Sequence, residues 1–305
     1  MATRATPRVV LEVGPYNSGC AQRQLAITVA APGGPLAVIS PTNTDPLLTR
    51  DVRPSTTRGY ARIIARDDRQ AAAIAAHLRK QGYRSVFVLD DGAFGLAPGS
   101  YFAAAARVQG LRITGRASWP PHSPAEIAQR VARSGADAVY VSGLLDDGAG
   151  AIVRALRRAL PADVTVAGNE GLLPIADLFT AAGPAARNVL ITTGSVPVAE
   201  LPPAGRELAA ALARHQGDDE IHPYTVWAAQ ATQVGLAAIA RSDGSRRSVA
   251  RALLATDLPR APLGRIRFDA HGDLRHPRVA ILRARRPGGS RQLGSTDGAQ
   301  LVAIR

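Results

Sequence analysis

The chain has 305 residues, 46% of them hydrophobic, which is enough for two domains with cores of their own. Its net charge of +13 comes almost entirely from arginines scattered along predicted helices, and only 4% of residues are aromatic, so we expect no nucleic-acid partner. No apolar run approaches the roughly 20 residues of a membrane span. A single cysteine, Cys20, excludes disulfides within the chain.

Two predicted strands at the start of the chain each end in a polar loop. The first spans residues 9–13 and stops at Gly14, and a helix is predicted to begin near Ser18. The second spans 36–39 and leads into the loop 40–46. In a parallel sheet both loops lie at the carboxyl edge, where open α/β sheets bind small molecules. The hydroxyl groups in these loops and the free N–H groups at the helix start predict a binding site for an anion such as a carboxylate.

Strands and helices then alternate at the pace of βαβ units, after a polar turn at 50–57. Further strands are predicted at 60–64, 86–89, 111–114, 138–141, 164–167, 189–193, 264–269 and 279–282. Helices are predicted at 69–81, 96–109, 124–134, 147–160, 172–182, 205–215, 224–241 and 246–255. The tail from Arg283 is polar and predicted to be frayed. This pattern predicts an α/β protein of two lobes, each a parallel sheet flanked by helices, with residues 1–66 plus 196–275 in lobe 1 and 67–195 plus 276–305 in lobe 2.

Catalytic signatures are missing from the sequence. It contains no G-x-S-x-G, H-E-x-x-H, C-x-x-C or P-loop motif, and no base stands near Ser18 to make it a nucleophile, so we expect neither an enzyme nor a bound cofactor. The acid pairs in Asp90-Asp91-Gly92 and Asp146-Asp147-Gly148 follow strands. They could hold Mg²⁺, although helix capping and loop turns are the simpler interpretation, and we expect no metal.

Glu170 is the acid that the pattern singles out. It stands in Val166-Ala167-Gly168-Asn169-Glu170-Gly171, at the predicted mouth of the second lobe's sheet and not on a solvated helix face. Its carboxylate could meet a ligand there, or it could cap the predicted helix 172–182.

Six segments together carry a resemblance that covers nearly the whole chain: GPYNSGCA, PGGPLAVISPTNTDPLLTR, VFVLDDGAFG, ADAVYVSGLLDDGAG, GNEGL and PYTVWAAQA. In this order and spacing they resemble the substrate-binding proteins of branched-chain amino-acid ABC transporters, of the periplasmic-binding-protein type I fold. The resemblance implies two lobes joined by three crossings, near Arg66, Ser195 and Leu274. It also implies a cleft that closes on a zwitterion of the branched-chain amino-acid class, a permease as partner, and an extracytoplasmic location.

The resemblance also implies roles for single residues. Glu170 would hold the ligand's ammonium group. The positions that match those holding the carboxylate are Asn17, Ser18, Asn43 and Thr44. The positions that match the side-chain pocket are Tyr16, Phe94, Leu144 and Tyr224. Phe94 stands where the family often has tyrosine and Leu144 replaces an aromatic residue, so the identity of the amino acid stays open.

The chain departs from the family before Gly14, where two strand-helix pairs of roughly 60 residues have no counterpart. The N-terminus MATRATPR also leads into the first strand with no apolar region of a signal peptide. We therefore keep two alternatives to the transport function. One is the ligand-sensing domain of a larger receptor or transcriptional regulator, and the other is a fragment that binds nothing.

Overall fold

A computed structural model gives the architecture and describes residues 9–49, 59–217, 221–286 and 299–304. Contacts divide the chain into two units. Unit 1 comprises Met1–Arg66 and Ser195–Arg278, and unit 2 comprises Asp67–Gly194 and Val279–Arg305. Each unit has a sheet with helices packed on it, which confirms the predicted α/β class.

The strands and helices have the following bounds. The strands are β1 Leu11–Val13, β2 Ala37–Ser40, β3 Tyr60–Arg62, β4 Ser85–Asp90, β5 Arg112–Ser118, β6 Ala138–Ser142, β7 Thr165–Gly168, β8 Leu190–Thr193, β9 Asp257–Ala261, β10 Gly264–Arg267, β11 Ala280–Ala284 and β12 Ala299–Ile304. The helices are α1 Ser18–Thr28, α2 Asp67–Lys80, α3 Leu96–Val108, α4 Pro124–Arg133, α5 Ala149–Ala159, α6 Ile175–Ala182, α7 Pro203–Gln216, α8 Pro223–Ala240 and α9 Arg246–Leu254. No helix in the described ranges is both long and apolar enough to cross a membrane.

The sheet of unit 1 is parallel, with the strand order β1-β2-β3. Ala21 and Leu25 of α1 pack with Val38, Leu48 and Tyr60 in one buried cluster. Helices α8 and α9 contact the strands as well, and a Cβ added to Gly235 of α8 would meet the side chain of Leu11. Because all three strands run the same way, the loops that follow β1 and β2 lie at one edge of this sheet.

The sheet of unit 2 has the strand order β12-β11-β8-β7-β6-β4-β5 and is parallel from β8 to β5. Alternate residues of β4 point to opposite faces: Phe87 and Leu89 pack in the cluster with α4, α5 and α6, while Val86 and Val88 pack with α2 and α3. The order reverses between β4 and β6, and the carboxyl ends of strands at such a switch point are the usual place for a ligand.

The end of the chain differs from the prediction of a frayed tail. Residues 299–304 form β12, which pairs antiparallel with β11, and β11 pairs antiparallel with β8. The tail prediction is therefore wrong for these residues, because the backbone groups at the free edge of β11 take another strand as their partner. The prediction is also wrong for Arg283 and Ala284, which belong to β11. Residues 287–298 and 305 lie outside the described residues, as does the polar turn at 50–57.

Two other elements differ from their predictions. Strand β9 was not predicted, because Asp257, Pro259 and Arg260 interrupt any alternation of apolar and polar residues; it pairs antiparallel with β10 as a hairpin. The helix predicted at 172–182 begins only at Ile175, and Glu170–Leu172 is a separate 3₁₀ turn. Pro174 explains the break, because the residue before a proline avoids the helical region.

Candidate functional site

In unit 1, hydrogen bonds tie together the loops that follow β1 and β2. The carbonyl of Pro15 accepts from Ser40 Oγ at 3.4 Å and from Asn43 Nδ2 at 3.0 Å. The carbonyl of Tyr16 accepts from Thr42 Oγ1 at 2.7 Å and also from Asn43 Nδ2 at 3.0 Å. The segment that leads into α1 is thus fixed by side chains of the second loop.

The N-terminus of helix α1 lies at this edge of the sheet and favours an anion. Asn17 occupies the N-cap position, its side chain makes no capping hydrogen bond, and no acidic residue stands in the first turn. Ser18 begins the helix, and its Oγ accepts from Asp45 N at 3.3 Å. The positive end of the helix dipole and the first N–H groups therefore face outward without a carboxylate of the same helix to neutralise them.

The side chain of Asn43 forms hydrogen bonds that hold the two loops together. Its side chain is fully buried, its amide donates to the two carbonyls above, and its Oδ1 accepts from Tyr60 Oη at 3.2 Å. Thr44 beside it is also buried. The prediction that both residues contact a ligand stays a prediction, and the structure adds a positioning role for Asn43.

A buried arginine, which the sequence analysis missed, holds the second loop. Arg62 of β3 is fully buried. Its Nη1 donates to the carbonyls of Asn43 at 3.0 Å and Asp45 at 2.8 Å, and its Nε donates to Asp273 Oδ1 at 2.6 Å. The signal that could have revealed it is an arginine inside the otherwise apolar strand Tyr60-Ala61-Arg62-Ile63-Ile64, because a charge in such a place needs a buried partner.

Asp273 is the centre of this network. Its Oδ2 accepts from Arg66 Nη1 at 2.7 Å and from Thr49 Oγ1 at 2.9 Å. Burial by itself raises the pKa of the Asp273 carboxyl, but the charge and hydrogen bond of Arg62, with Thr49 and Arg66, hold that pKa below its ordinary value. Asp273 is therefore ionised at neutral pH and fixes both arginines.

Two aromatic residues of the predicted pocket lie together in unit 1. Tyr16 is 64% exposed, and its ring meets the ring of Tyr224 edge to face, with centroids 6.3 Å apart. His222 caps the start of α8, where its Nδ1 accepts from Tyr224 N at 2.9 Å. Burial lowers the pKa of His222 to about 4, so its imidazole is neutral at pH 7 and can accept this bond.

In unit 2, the loop after β4 is built around two acids. Asp91 Oδ1 accepts from Ala93 N at 2.9 Å and Gly95 N at 2.7 Å, and its Oδ2 accepts from Leu144 N at 3.3 Å. Asp90 accepts from Gly92 N, Ser118 Oγ and Arg116 Nη2. These bonds give the acid pair the turn-forming role considered above. Among the described residues, no group of three or more His, Cys, Asp or Glu side chains could hold a metal ion.

The same bonds bring two predicted pocket residues to the strand ends at the switch point. Phe94 lies in the loop fixed by Asp91 and is 42% exposed. Leu144 follows β6 and is half-buried, with its backbone N–H held by the same carboxylate. Asp91 therefore sets the positions of both residues.

Glu170 lies just beyond the carboxyl end of β7. Its Oε2 accepts from Gln70 Nε2 at 3.5 Å and from Gly194 N at 3.4 Å. The interpretation of Glu170 as a helix cap is wrong, since α6 begins five residues later behind Pro174 and has no side-chain cap. Gln70, buried in α2, is a second residue that sequence reasoning missed, because it is one polar residue among many on a helix.

Close backbone packing fixes the loop that carries Glu170. A Cβ on Gly171 would lie 2.2 Å from the carbonyl oxygen of Gly143, and a Cβ on Gly143 would lie 2.4 Å from the ring of Trp119. Asn169 Oδ1 also accepts from Gly143 N at 3.3 Å. The loops after β6 and β7 therefore contact each other directly, which requires glycine at both positions.

Comparisons with known proteins agree with this architecture. The model of the family described as periplasmic binding protein matches residues 14–289. A leucine-binding protein, LivK, from Thermotoga maritima superposes with a TM-score of 0.80 at 20% identity, covering 97% of this chain and 80% of that one. No curated protein matches the sequence.

Two further solved structures have similar folds and hold different ligands. An ABC transporter substrate-binding protein from Desulfitobacterium hafniense in complex with Leu has a TM-score of 0.79 at 18% identity, covering 99% of this chain and 82% of that one. A solute-binding protein from R. palustris in complex with benzoate has a TM-score of 0.74 at 15% identity, covering 97% and 77%. At these identities the likeness shows the fold alone.

The family match includes the loops after β1 and β2, the strand ends of unit 2 and Glu170, which together form the candidate site. This family consists of binding proteins without catalytic activity, the class that the sequence predicted. The chain belongs to the periplasmic binding protein family.

Proposed function

We propose that this protein binds a small amino-acid-like zwitterion, of the branched-chain amino-acid class, as the substrate-binding component of an ABC importer. Unit 1 supplies the contacts to the carboxylate and unit 2 supplies the contact to the ammonium group. The proposal includes an extracytoplasmic location and a permease as partner, both by analogy with the family.

The observation that carries the proposal is the pairing of opposite chemistries at the carboxyl edges of the two sheets. In unit 1 that edge presents a helix start with Ser18 and no acid in the first turn. In unit 2 it presents Glu170, whose carboxylate is oriented by an amide side chain and a backbone N–H. A helix N-terminus favours a carboxylate and a glutamate favours an ammonium, and an amino acid carries both.

The lining residues support an apolar side chain on that ligand. Tyr16 and Tyr224 stand beside the start of α1, and Phe94 and Leu144 stand beside the strand ends of unit 2. The structure of similar fold in complex with Leu favours the same class. The structure with benzoate favours a carboxylate that lacks the ammonium group, so this ligand is the competitor to test.

A thermal-shift screen of the twenty amino acids and benzoate tests the proposal. A ligand at 100 times its dissociation constant stabilises the native state by roughly 2.7 kcal/mol, so a branched-chain amino acid should raise the melting temperature by several degrees. Aspartate and lysine, whose charged side chains do not suit an apolar pocket, should leave it unchanged. Stabilisation by benzoate alone, or by no compound of the set, would contradict the proposal.

A further inference from the structure

Four arginines line one cavity on the surface of unit 2. The cavity has a volume of about 520 Å³ and lies between α5 and the segment from the end of α6 to Arg187. Its walls include Arg154, Arg157, Arg158 and Arg187, with the hydroxyl-bearing Thr180. We call it the arginine cavity. It has the size of small-molecule sites, which are commonly 300–1,000 Å³.

The positive charge of the arginine cavity is not balanced by acids. No acidic residue lines it. None of the ion pairs found among the described residues includes any of its four arginines. Asp163, the nearest acid in sequence to the end of α5, is exposed and does not contribute to the walls.

The helix itself brings three of these charges together. Arg154 precedes Arg157 by three residues and Arg158 by four, so all three side chains share one side of α5. Like charges at this spacing repel each other and destabilise a helix. The opposite side of α5 carries Ile152, Val153 and Leu156 into the core, so the arginines lie on the side of the helix that faces away from the core.

Two of the arginines are held in place by backbone carbonyls. Arg154 Nη1 donates to the carbonyl of Ala181, and Arg157 Nη1 donates to the carbonyl of Val164 at 2.9 Å. Arg157 is half-buried, and this burial lowers the pKa of its guanidinium from the ordinary value. A guanidinium that is fixed and partly removed from water forms stronger bonds with an anion, since less water competes for it.

We propose that the arginine cavity binds a diphosphate group, either free or as part of a nucleotide-sized molecule. Guanidinium groups match phosphate oxygens in pairs of parallel hydrogen bonds, and a diphosphate carries enough negative charge to balance several arginines at once. The cavity lies wholly within unit 2 and uses none of the residues assigned to amino-acid binding, so it stands independently of the proposed function.

Calorimetric titration with pyrophosphate and with ADP, in 150 mM NaCl, tests this site. Both probes carry the diphosphate group. Tighter binding of ADP would indicate a nucleotide, and tighter binding of pyrophosphate a free diphosphate; either result supports the site. The absence of saturable binding for both would overturn it, as would sulfate binding as tightly as either probe.

The double variant Arg158→Gln/Arg187→Gln locates the binding. Neither side chain makes a hydrogen bond within the described residues, so the variant should fold, which its melting temperature checks. We expect its affinity for pyrophosphate to fall at least about tenfold, because charged hydrogen bonds are lost. The control Lys80→Gln/Arg107→Gln removes the same charge from exposed positions on α2 and α3, which pack on the other face of the sheet. Equal weakening in both variants would show a general charge effect and overturn the proposal.

Discussion

Arg62 connects a strand, a loop and a distant turn of unit 1 through its hydrogen bonds. It bonds to the backbone of Asn43 and Asp45, which shape the loop after β2, and to Asp273 from the turn after β10. Removing one partner of a buried ion pair leaves an uncompensated charge, and this usually costs more free energy than the pair itself contributes.

Arg62→Met should therefore lower the free energy of unfolding by about 3 kcal/mol or more, since among the described residues the Asp273 carboxylate keeps only Arg66 and Thr49 as side-chain partners. Urea denaturation followed by circular dichroism measures this change. Arg23→Met, at an exposed position on α1, is the matched control and should change stability by less than about 0.5 kcal/mol. Equal losses in the two variants would show that the network does not stabilise unit 1.

His222 gives the protein a dependence on pH. Its pKa is lowered by burial to about 4 from an ordinary value of 6.5, so the native state favours the neutral ring. The stability that depends on this ring is therefore complete above pH 6.5 and is lost as the pH falls from 6.5 towards 4. We expect the melting temperature to drop across this window.

His222→Asn separates this effect from the titration of other groups. Asparagine can accept the hydrogen bond from Tyr224 N as a helix cap but does not titrate. The melting temperature of the variant should fall less than that of the wild type between pH 6.5 and 4. Parallel curves for the two proteins would exclude His222 as the source of the dependence.

At the scale of elements, the loops that carry the candidate site depend on glycines that the sequence motif contains. Gly171 permits the contact between the loops after β6 and β7, and its Cβ would overlap the carbonyl of Gly143. Gly19, in the first turn of α1, has no atom within 4 Å of an added Cβ. The two glycines therefore differ in their tolerance of alanine.

We expect Gly171→Ala to destabilise the protein by about 1–3 kcal/mol, because backbone must move to admit the methyl group. Gly19→Ala should leave stability unchanged or raise it by up to about 1 kcal/mol, since alanine restricts the unfolded chain more and favours a helix. Thermal denaturation without ligand compares them. Equal melting temperatures for the two variants and the wild type would contradict this expectation.

The pattern of the sequence predicted most of the elements because buried parallel strands and amphipathic helices leave strong periodicity, as in Val86–Leu89 and Pro124–Arg133. It missed β9 and β12, because an antiparallel edge strand is decided by which backbone edge is free and not by its own apolar content. It named Glu170 from its place in the motif. It could not name Gln70 or Asp273, whose roles arise from contacts between residues distant in the chain.

At the scale of the whole molecule, two units with sheets of their own each present a polar strand edge. The family match identifies the chain as a binding protein. The choice of ligand within such a family depends on a small number of polar and apolar side chains that line the site. In the proposed function, Glu170 is the most decisive of these. Its carboxylate would favour an amino acid, which carries an ammonium group, over a simple carboxylate such as benzoate.

Calorimetry of Glu170→Gln with the branched-chain amino acid that gives the largest thermal shift tests the central claim most directly. A charged hydrogen bond is worth roughly 1.5–3 kcal/mol, so the variant should bind about 10- to 150-fold more weakly than the wild type. Glu207→Gln, which removes the same charge from an exposed position on α7, should bind as the wild type does. Unchanged affinity in Glu170→Gln, or equal weakening in both variants, would contradict the assignment of the ammonium contact to Glu170.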